Sequence, residues 1–186
     1  MIELYQWPNP VGTEVLILMV ESGLPYRSIC RKNEHGVLDR APAGSLANLD
    51  DPMIVDTLPE DGGEPLAVFG SVAIMTYVAG KAGQYYPPSA RYRQSVDRCL
   101  AWLKLHRALP DDRPDDRSGQ LVALDDQLRR NRYVAWDYFS IADIACFAWM
   151  ADRRFQRRDI EKFPYLLDWF DEVSRRPAVQ CVVGEL

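Results

Sequence analysis

The residue with the clearest chemical potential in this sequence is Ser71, which follows the apolar run Leu66–Phe69 and one glycine. Apolar residues recur with helical spacing after it, which predicts a helix that begins at this serine. The first turn of a helix offers backbone N–H groups and a favourable dipole to an anion, and a serine adds a hydroxyl. We therefore expect Ser71 to cap the helix, to bind a carboxylate, or to do both.

A second polar pair, Ser140 and Asp143, has the spacing of a capping box. In that motif the serine hydroxyl and the carboxylate each accept a hydrogen bond from a backbone N–H group at the helix start. Loss of such a cap costs about 1 kcal/mol. The pair is therefore expected to serve folding rather than chemistry.

Histidine and cysteine show no pattern that indicates a metal site or a protein disulfide centre. His35 and His106 stand alone, without the spacing of metal ligands. The cysteines are widely spaced and form no Cys-x-x-Cys motif, and most lie among apolar residues. This placement predicts buried, reduced thiols in a cytoplasmic protein. The four cysteines are Cys30, Cys99, Cys146 and Cys181.

The first half of the chain predicts the elements that must position these residues. Pro8 and Pro10 end the first strand, and Gly23 ends the helix that follows it. A turn rich in proline and glycine between Asp56 and Leu66 predicts that the two flanking strands pair. The resulting order, βαβ followed by a hairpin and a helix, is the thioredoxin plan with its mixed sheet. The predicted strands are 2–7, 26–31, 53–56 and 66–69, the helices begin at 13 and 71, and residues 33–49 are irregular.

Beyond residue 83 the pattern indicates helices only. The adjacent Pro87 and Pro88 cannot continue a helix, so residues 84–90 are expected to form a linker. Helical spacing of apolar residues then predicts four helices, around 96–103, 121–128, 140–153 and 166–173. The expected organisation is a first domain at 1–83, the linker, and an all-helical domain at 91–186.

The bulk composition limits the function classes. The formal net charge of −5 argues against binding to the phosphate backbone of nucleic acid. No apolar run reaches the ~20 residues that a membrane span needs, and the N-terminal residues read as a strand rather than a signal peptide. We expect a cytoplasmic protein that acts on small molecules.

Three stretches together resemble the glutathione S-transferase superfamily, and particularly its bacterial Nu class. They span nearly the whole chain in the order of the family. The resemblance implies a thioredoxin-like, thiol-binding N-terminal domain and an all-α glutathione-transferase C-terminal domain. The segment between Leu105 and Leu121 is shorter than in the family, which implies a more open cleft. The stretches are Leu4–Gly12; Asp51–Asp56 with Asp61–Leu66 and Phe69–Ile74; and Tyr138–Ile144 with Phe163–Pro164 and Arg175–Ala178.

The resemblance also implies roles in holding glutathione. Pro52 matches the cis-proline of the family, and the backbone of Asp51 before it would bind the cysteinyl unit as a strand adds to a sheet edge. Ser71 would bind the γ-glutamyl carboxylate. Gly70 stands where the family has an acidic residue or glutamine that pairs with the amino group. Losing a charge-assisted hydrogen bond lowers affinity about 10- to 150-fold.

At the turn that stabilises the thiolate, Asn9 stands at the position of a Nu-class threonine, and Val11 stands at the position of an asparagine. Asn9 can donate an N–H group to a sulfur anion but cannot act as a nucleophile or base. Trp7 is expected either to line the cleft or to fill the core. The candidate site therefore has Asn9 as its catalytic residue and Trp7, Val11, Asp51, Pro52, Gly70 and Ser71 as thiol-binding residues.

Three functions stay open at this point. The leading hypothesis is formation or cleavage of a carbon–sulfur bond on a small aromatic or activated unsaturated molecule, as in biosynthesis. Its donor would be glutathione or another small thiol, derived from cysteine or a persulfide. The second is the glutathione-dependent disulfide reductase or peroxidase that the Nu class implies, and the third is a non-catalytic binding module. The resemblance also implies a homodimer, and no metal is expected.

Overall fold

The structure is a computed structural model, and it describes residues 1–6, 9–30, 52–107, 114–151 and 157–184. Within these ranges the chain forms two compact units, Met1–Gly83 and Gln84–Leu186. Trp7, Asp51 and the segment 33–49 lie outside the described residues. The expectations for them therefore stay predictions.

The first unit is a four-stranded mixed sheet with helices α1 and α2 packed against each other. The spatial order is β2-β1-β3-β4, with β1 and β2 parallel and the other pairs antiparallel. This topology confirms the predicted thioredoxin-like plan. The elements in chain order are β1 Ile2–Gln6, α1 Pro10–Ser22, β2 Tyr26–Cys30, β3 Met53–Asp56, β4 Leu66–Phe69 and α2 Ser71–Ala82.

Local sequence explains where α1 begins and ends. Its N-cap is Asn9, and Pro10 is the first helical residue, a position where the missing proline N–H loses no helical hydrogen bond. The helix therefore starts three residues before the predicted Thr13. It ends at Gly23, whose φ of 65° lies in the left-handed region that glycine adopts readily.

A buried carboxylate, Asp56, ties β3 to α2. Its Oδ2 accepts hydrogen bonds from Tyr77 Oη at 2.7 Å and from Lys81 Nζ, and its Oδ1 accepts from the Leu58 N–H at 3.1 Å. Burial raises the pKa of Asp56, but the hydrogen bonds from Lys81 and Tyr77 outweigh it and hold the pKa below its ordinary value. Burial and the bond to Asp56 raise the pKa of Tyr77 to about 12. The carboxylate of Asp56 therefore stays ionised at neutral pH.

The second unit contains only helices in the part of the chain that the structure describes. Helix α3 packs on α5, and α4 packs on α7. Helix α5 is buried along nearly its whole length and forms the centre of this unit. No helix among the described residues is long and apolar enough to cross a membrane. The helices are α3 Ala90–Arg107, α4 Pro114–Leu128, α5 Ile141–Ala151, α6 Arg157–Ile160, α7 Pro164–Ser174 and α8 Pro177–Val183.

The capping box at the start of α5 is confirmed. Asp143 Oδ2 accepts the Ser140 N–H at 2.9 Å, and Ser140 Oγ accepts the Ala142 N–H at 3.3 Å. Asp143 Oδ1 also accepts hydrogen bonds from the Val134 N–H and from Trp169 Nε1. Both box residues are fully buried, so the carboxylate organises three segments of the helical unit.

The expectation that most cysteines are buried is only partly correct. Cys146 is buried on α5, Cys99 is half-buried on α3, and Cys181 is exposed on α8. Burial raises the pKa of Cys99 to about 11 and that of Cys146 well above its ordinary value. The side chain of Cys30 lies outside the described residues. The two thiols inside the helical unit are therefore protonated and unreactive at neutral pH.

Candidate functional site

The register of the strands brings several of the predicted site residues to one end of the sheet. Tyr5 of β1 pairs with Met53 of β3, and Met53 pairs with Phe69 of β4. The end of β1, the start of β3 and the end of β4 therefore lie side by side. The segments that continue from these three positions carry Asn9, Val11, Pro52, Gly70 and Ser71.

Pro52 and Gly70 are joined by a direct backbone contact. The Gly70 N–H donates a hydrogen bond of 3.0 Å to the Pro52 carbonyl oxygen, which fixes the start of α2 beside the start of β3. Pro52 is buried. The predicted cis bond precedes Pro52 and involves Asp51, so it lies outside the described residues.

The structure corrects the prediction that Ser71 caps α2. The N-cap is Gly70, no side chain caps the helix, and Ser71 is the first helical residue. Gly70 adopts φ 81° and ψ 139°, a conformation that L-residues rarely adopt. The Gly70 carbonyl accepts the Ile74 N–H at 3.0 Å, while the N–H groups of Ser71, Val72 and Ala73 bind no described residue.

Because Ser71 does not cap the helix, its half-buried side chain contributes a hydroxyl beside three backbone donors. Together with the positive end of the helix dipole, these groups can hold a carboxylate. Gly70 has no side chain, so the acidic group or glutamine that the family resemblance implies for the amino group is missing here. A Cβ on Gly70 would meet no atom within 4 Å, so backbone strain rather than crowding opposes a larger residue there.

Asn9 has a structural task at the start of α1. Its Oδ1 accepts the Gly12 N–H at 2.8 Å, and its carbonyl accepts the Thr13 N–H at 2.9 Å. The capping bond uses the oxygen of the amide, and Nδ2 is the donor group of the same side chain. Asn9 thus has a donor group, Nδ2, besides the oxygen that caps the helix.

Val11 offers a donor that its side chain does not suggest. It is the second residue of α1, and its backbone N–H binds no described residue. The first N–H groups of a helix have no partner inside the helix, so this one can donate to an anion. Sequence reasoning missed this donor because it compared side chains, although the Asn9–Pro10 helix start contained the signal.

Gln6, at the end of β1, is a second residue that the sequence did not single out. It is 8% exposed, and its Oε1 is a buried acceptor without a hydrogen-bond partner. An unsatisfied buried polar atom costs about 1–3 kcal/mol. Its alternation with buried Ile2 and Leu4 would have indicated an inward side chain.

The site therefore combines the starts of two helices at one end of a sheet. Two such starts can bind a ligand with two negative groups, such as a carboxylate and a thiolate. Asp56 and its partners lie at the opposite end, since Asp56 pairs with Ile2 at the beginning of β1. Among the described residues, no group of three or more histidine, cysteine or acidic side chains could hold a metal ion.

Comparison with known proteins agrees with this architecture. The family model described as "Glutathione S-transferase, C-terminal domain" matches residues 106–177. The disulfide-bond oxidoreductase YfcG of Escherichia coli (strain K12) is 30% identical over 198 residues, covering 96% of this chain and 92% of that protein.

Two solved structures are similar over nearly the whole chain. A glutathione transferase family member from Pseudomonas fluorescens pf-5, with two glutathione bound, has a TM-score of 0.78 and 26% identity, covering 98% of this chain and 92% of that one. A glutathione transferase from Pseudomonas putida, with one glutathione disulfide bound per subunit, has a TM-score of 0.79 and 26% identity, covering 98% of this chain and 90% of that one.

The fold and the site define a thioredoxin-like unit joined to an all-helical transferase unit. The chain belongs to the glutathione S-transferase superfamily and is close to its bacterial Nu-type members.

Proposed function

We propose that this protein is a glutathione-dependent disulfide reductase. The observation that carries the proposal is the 30% identity to a disulfide-bond oxidoreductase over nearly all of both chains. Two glutathione molecules, or glutathione disulfide, in similar structures support a site that holds two thiols. The disulfide reductase, which was the second hypothesis from the sequence, is therefore placed ahead of carbon–sulfur bond chemistry, which was the first.

In this proposal the start of α2 binds the first glutathione. The γ-glutamyl carboxylate accepts hydrogen bonds from the Ser71 hydroxyl and from the N–H groups of the first turn. The cysteinyl unit pairs with the backbone of Asp51, ahead of Pro52, as an added strand pairs with a sheet edge. Trp7 would line the space for the second thiol, one of the two roles that the sequence leaves open for it.

The start of α1 stabilises the thiolate. The Nδ2 group of Asn9 and the backbone N–H of Val11 donate to the sulfur anion, and the helix dipole lowers the thiol pKa. Both donors are compatible with the capping bond between Asn9 and Gly12.

The reaction proceeds by two thiol–disulfide exchanges. The thiolate of the first glutathione attacks one sulfur of the substrate disulfide, forming a mixed disulfide and releasing one substrate thiolate, which takes up a proton. The thiolate of the second glutathione attacks the glutathione sulfur of the mixed disulfide. Glutathione disulfide forms, and the second substrate thiol leaves. Two glutathione molecules are oxidised and one substrate disulfide is reduced, and no protein thiol takes part.

One observation favours a second candidate function. Gly70 leaves the amino group of glutathione without the acidic partner of the family, and its φ of 81° suits glycine. A smaller donor thiol, derived from cysteine or a persulfide but without a free amino group, would lose nothing from that change. The second candidate is therefore carbon–sulfur bond formation or cleavage on a small activated acceptor with such a donor.

The test is glutathione-dependent reduction of bis(2-hydroxyethyl) disulfide, coupled to glutathione reductase and NADPH. The wild type should accelerate the reaction above the uncatalysed rate, and Ser71→Ala should raise the KM for glutathione by about tenfold. Thr76→Ala is the matched control, since Thr76 lies five residues further along α2 and its hydroxyl donates to the Val72 carbonyl.

The competing candidates give different results in the same experiment. A folded protein with no reductase activity that consumes cysteine or cysteine persulfide with an activated acceptor would support carbon–sulfur chemistry. A folded protein that is inactive with every thiol would support a binding module. Protein quenched with acid during turnover should carry no mixed disulfide with glutathione; an adduct would contradict the mechanism without a protein thiol.

The proposal includes a homodimer, which the family resemblance implies. It also places the activity in the cytoplasm, where the glutathione pool is reducing enough to drive disulfide reduction.

A further inference from the structure

The helical unit contains a cavity of about 370 Å³ that the glutathione chemistry does not use. One wall is formed by Trp102 and Leu103 of α3, and the facing wall is formed by Leu124 of α4. Ala142 and Cys146 of α5 contribute to its lining. The cavity lies between α3 and α4, which pack chiefly on other helices, and all of its lining residues belong to residues 84–186.

The inner lining is apolar and chemically inert. Leu103, Leu124, Ala142 and Cys146 are all buried. The cavity also contains Cys99, whose Sγ donates to the Val134 carbonyl oxygen at 3.3 Å. A buried thiol behaves as a small hydrophobic group. The inner part therefore suits a hydrocarbon chain rather than a polar or reactive ligand, and its volume lies in the range of about 300–1,000 Å³ typical of small-molecule sites.

The outer part of the cavity is cationic. Arg98 on α3 and Arg130 just beyond α4 both line it, and both are exposed. Neither arginine forms an ion pair with any residue in the described part of the chain. Arg129, the neighbour of Arg130, pairs instead with Asp126 at 3.3 Å and does not line the cavity.

A buried anion fixes the direction in which a ligand would enter. Burial is the main cause that raises the pKa of both Cys99 and Cys146; the negative charge of Asp143 adds to it, whereas Arg98 lowers the pKa of Cys99. The carboxylate of Asp143 therefore acts on the inner lining and repels a second negative charge there. A negative group is favoured only at the end of the cavity that has the arginines.

We propose that this cavity binds a medium-chain aliphatic carboxylate, with its hydrocarbon chain between α3 and α4 and its carboxylate at Arg98 and Arg130. Guanidinium groups recognise carboxylates by paired, charge-assisted hydrogen bonds, and the apolar lining takes up the chain. The inference does not rest on the proposed reductase activity, since no lining residue belongs to the Ser71 site.

The experiment is calorimetric titration of the full chain with sodium octanoate and, separately, with 1-octanol. Octanoate should bind at one site per chain and more tightly than octanol, because only octanoate has the negative group. Replacing both arginines, Arg98→Gln with Arg130→Gln, should weaken octanoate at least about tenfold and leave octanol unchanged. Arg129→Gln is the matched control and should change neither affinity.

A second pair of variants tests the location. Ala123→Trp places a large side chain on the exposed part of the lining and should abolish binding of both compounds. Val122→Trp, at an exposed neighbour that does not line the cavity, should leave binding intact. Equal affinities of octanoate and octanol, absence of binding by both, or unchanged binding in a folded Ala123→Trp variant would each overturn the proposal.

Discussion

At the scale of single residues, Gly70 combines a backbone requirement with the proposed loss of a contact to glutathione. Its φ of 81° is the conformation with which the chain passes from β4 into α2. Glycine adopts it without strain, whereas any other residue is strained by about 1–2 kcal/mol. A family member with an acidic residue at this position would gain a contact to the amino group of glutathione and accept that strain.

The opposing effects of backbone strain and ligand contact at Gly70 give a prediction for two variants at this position. Gly70→Ala and Gly70→Glu should both lower the free energy of unfolding by about 1–2 kcal/mol, because each adds a Cβ in a strained conformation. Only Gly70→Glu should bind glutathione more tightly, by about tenfold or more. Urea denaturation and calorimetric titration measure the two effects. A Gly70→Glu variant that is destabilised without any gain in affinity would contradict the assigned place of the amino group.

The buried oxygen of Gln6 gives a second prediction at this scale. Methionine has a similar shape and no polar oxygen, so Gln6→Met should raise the free energy of unfolding by about 1–2 kcal/mol. Gln120 is equally buried at 8% exposure and has no buried atom without a partner, so Gln120→Met should stabilise less. Chemical denaturation compares the two variants. A less stable Gln6→Met protein would mean that the amide of Gln6 has a favourable interaction.

At the scale of elements, the start of α5 predicts how stability depends on pH. Burial raises the pKa of Asp143 to about 6, against the hydrogen bonds from Val134, Trp169 and Ser140, while the ordinary value is 3.8. The folded state therefore holds this proton more tightly than the unfolded state does. The stabilisation that follows is fully present below about pH 4 and is lost as the pH rises through about 6.

The Asp143→Asn variant lacks this titrating group, so a comparison with the wild type shows whether Asp143 makes the protein less stable or more stable as the pH rises. The unfolding free energy of the wild type, relative to that of Asp143→Asn, should fall by about 3 kcal/mol between about pH 4 and pH 7. Asp56 has a lowered pKa, so its contribution to stability rises with pH instead. Both proteins contain Asp56, and its contribution therefore cancels in the difference between their unfolding free energies. A difference that grows with pH would show that hydrogen bonds to the Asp143 carboxylate outweigh its burial.

Much of the element order could be predicted because glycine and proline, which end helices and form turns, are strong local signals. Gly23 ends α1, and the proline- and glycine-rich turn before Leu66 separates two strands that pair as expected. The cap of α2 could not be predicted from the preference for serine at N-caps, because the φ of Gly70 depends on the hydrogen bond to Pro52. Short helices such as α6 are determined by packing rather than by periodicity.

At the scale of the whole molecule, the sequence predicted the nature of both units but not the cavity in the second. The periodic hydrophobic positions of α3 and α4 predicted that these residues lie in a core. Such a pattern does not reveal whether the two helices touch or leave a cavity between them. The site at the start of α2 was predicted as a set of side chains. The backbone donors of the candidate site, such as the N–H of Val11 at the start of α1, depend on the three-dimensional helix starts.

The proposed assembly gives a prediction at this scale. A homodimer should have twice the 21.3 kDa mass of the chain in light scattering at the concentrations that support turnover. Its mass should stay constant over a tenfold dilution if the interface is stable. A monomer mass in a sample with full activity would contradict the homodimer and leave the glutathione site within one chain.

Calorimetric titration with reduced glutathione shows whether the start of α2 binds glutathione, as we propose. We expect saturable binding to the wild type, weakened about tenfold in Ser71→Ala and unchanged in Thr76→Ala. Absence of binding to the folded wild type, or equal binding by Ser71→Ala, would contradict this proposal.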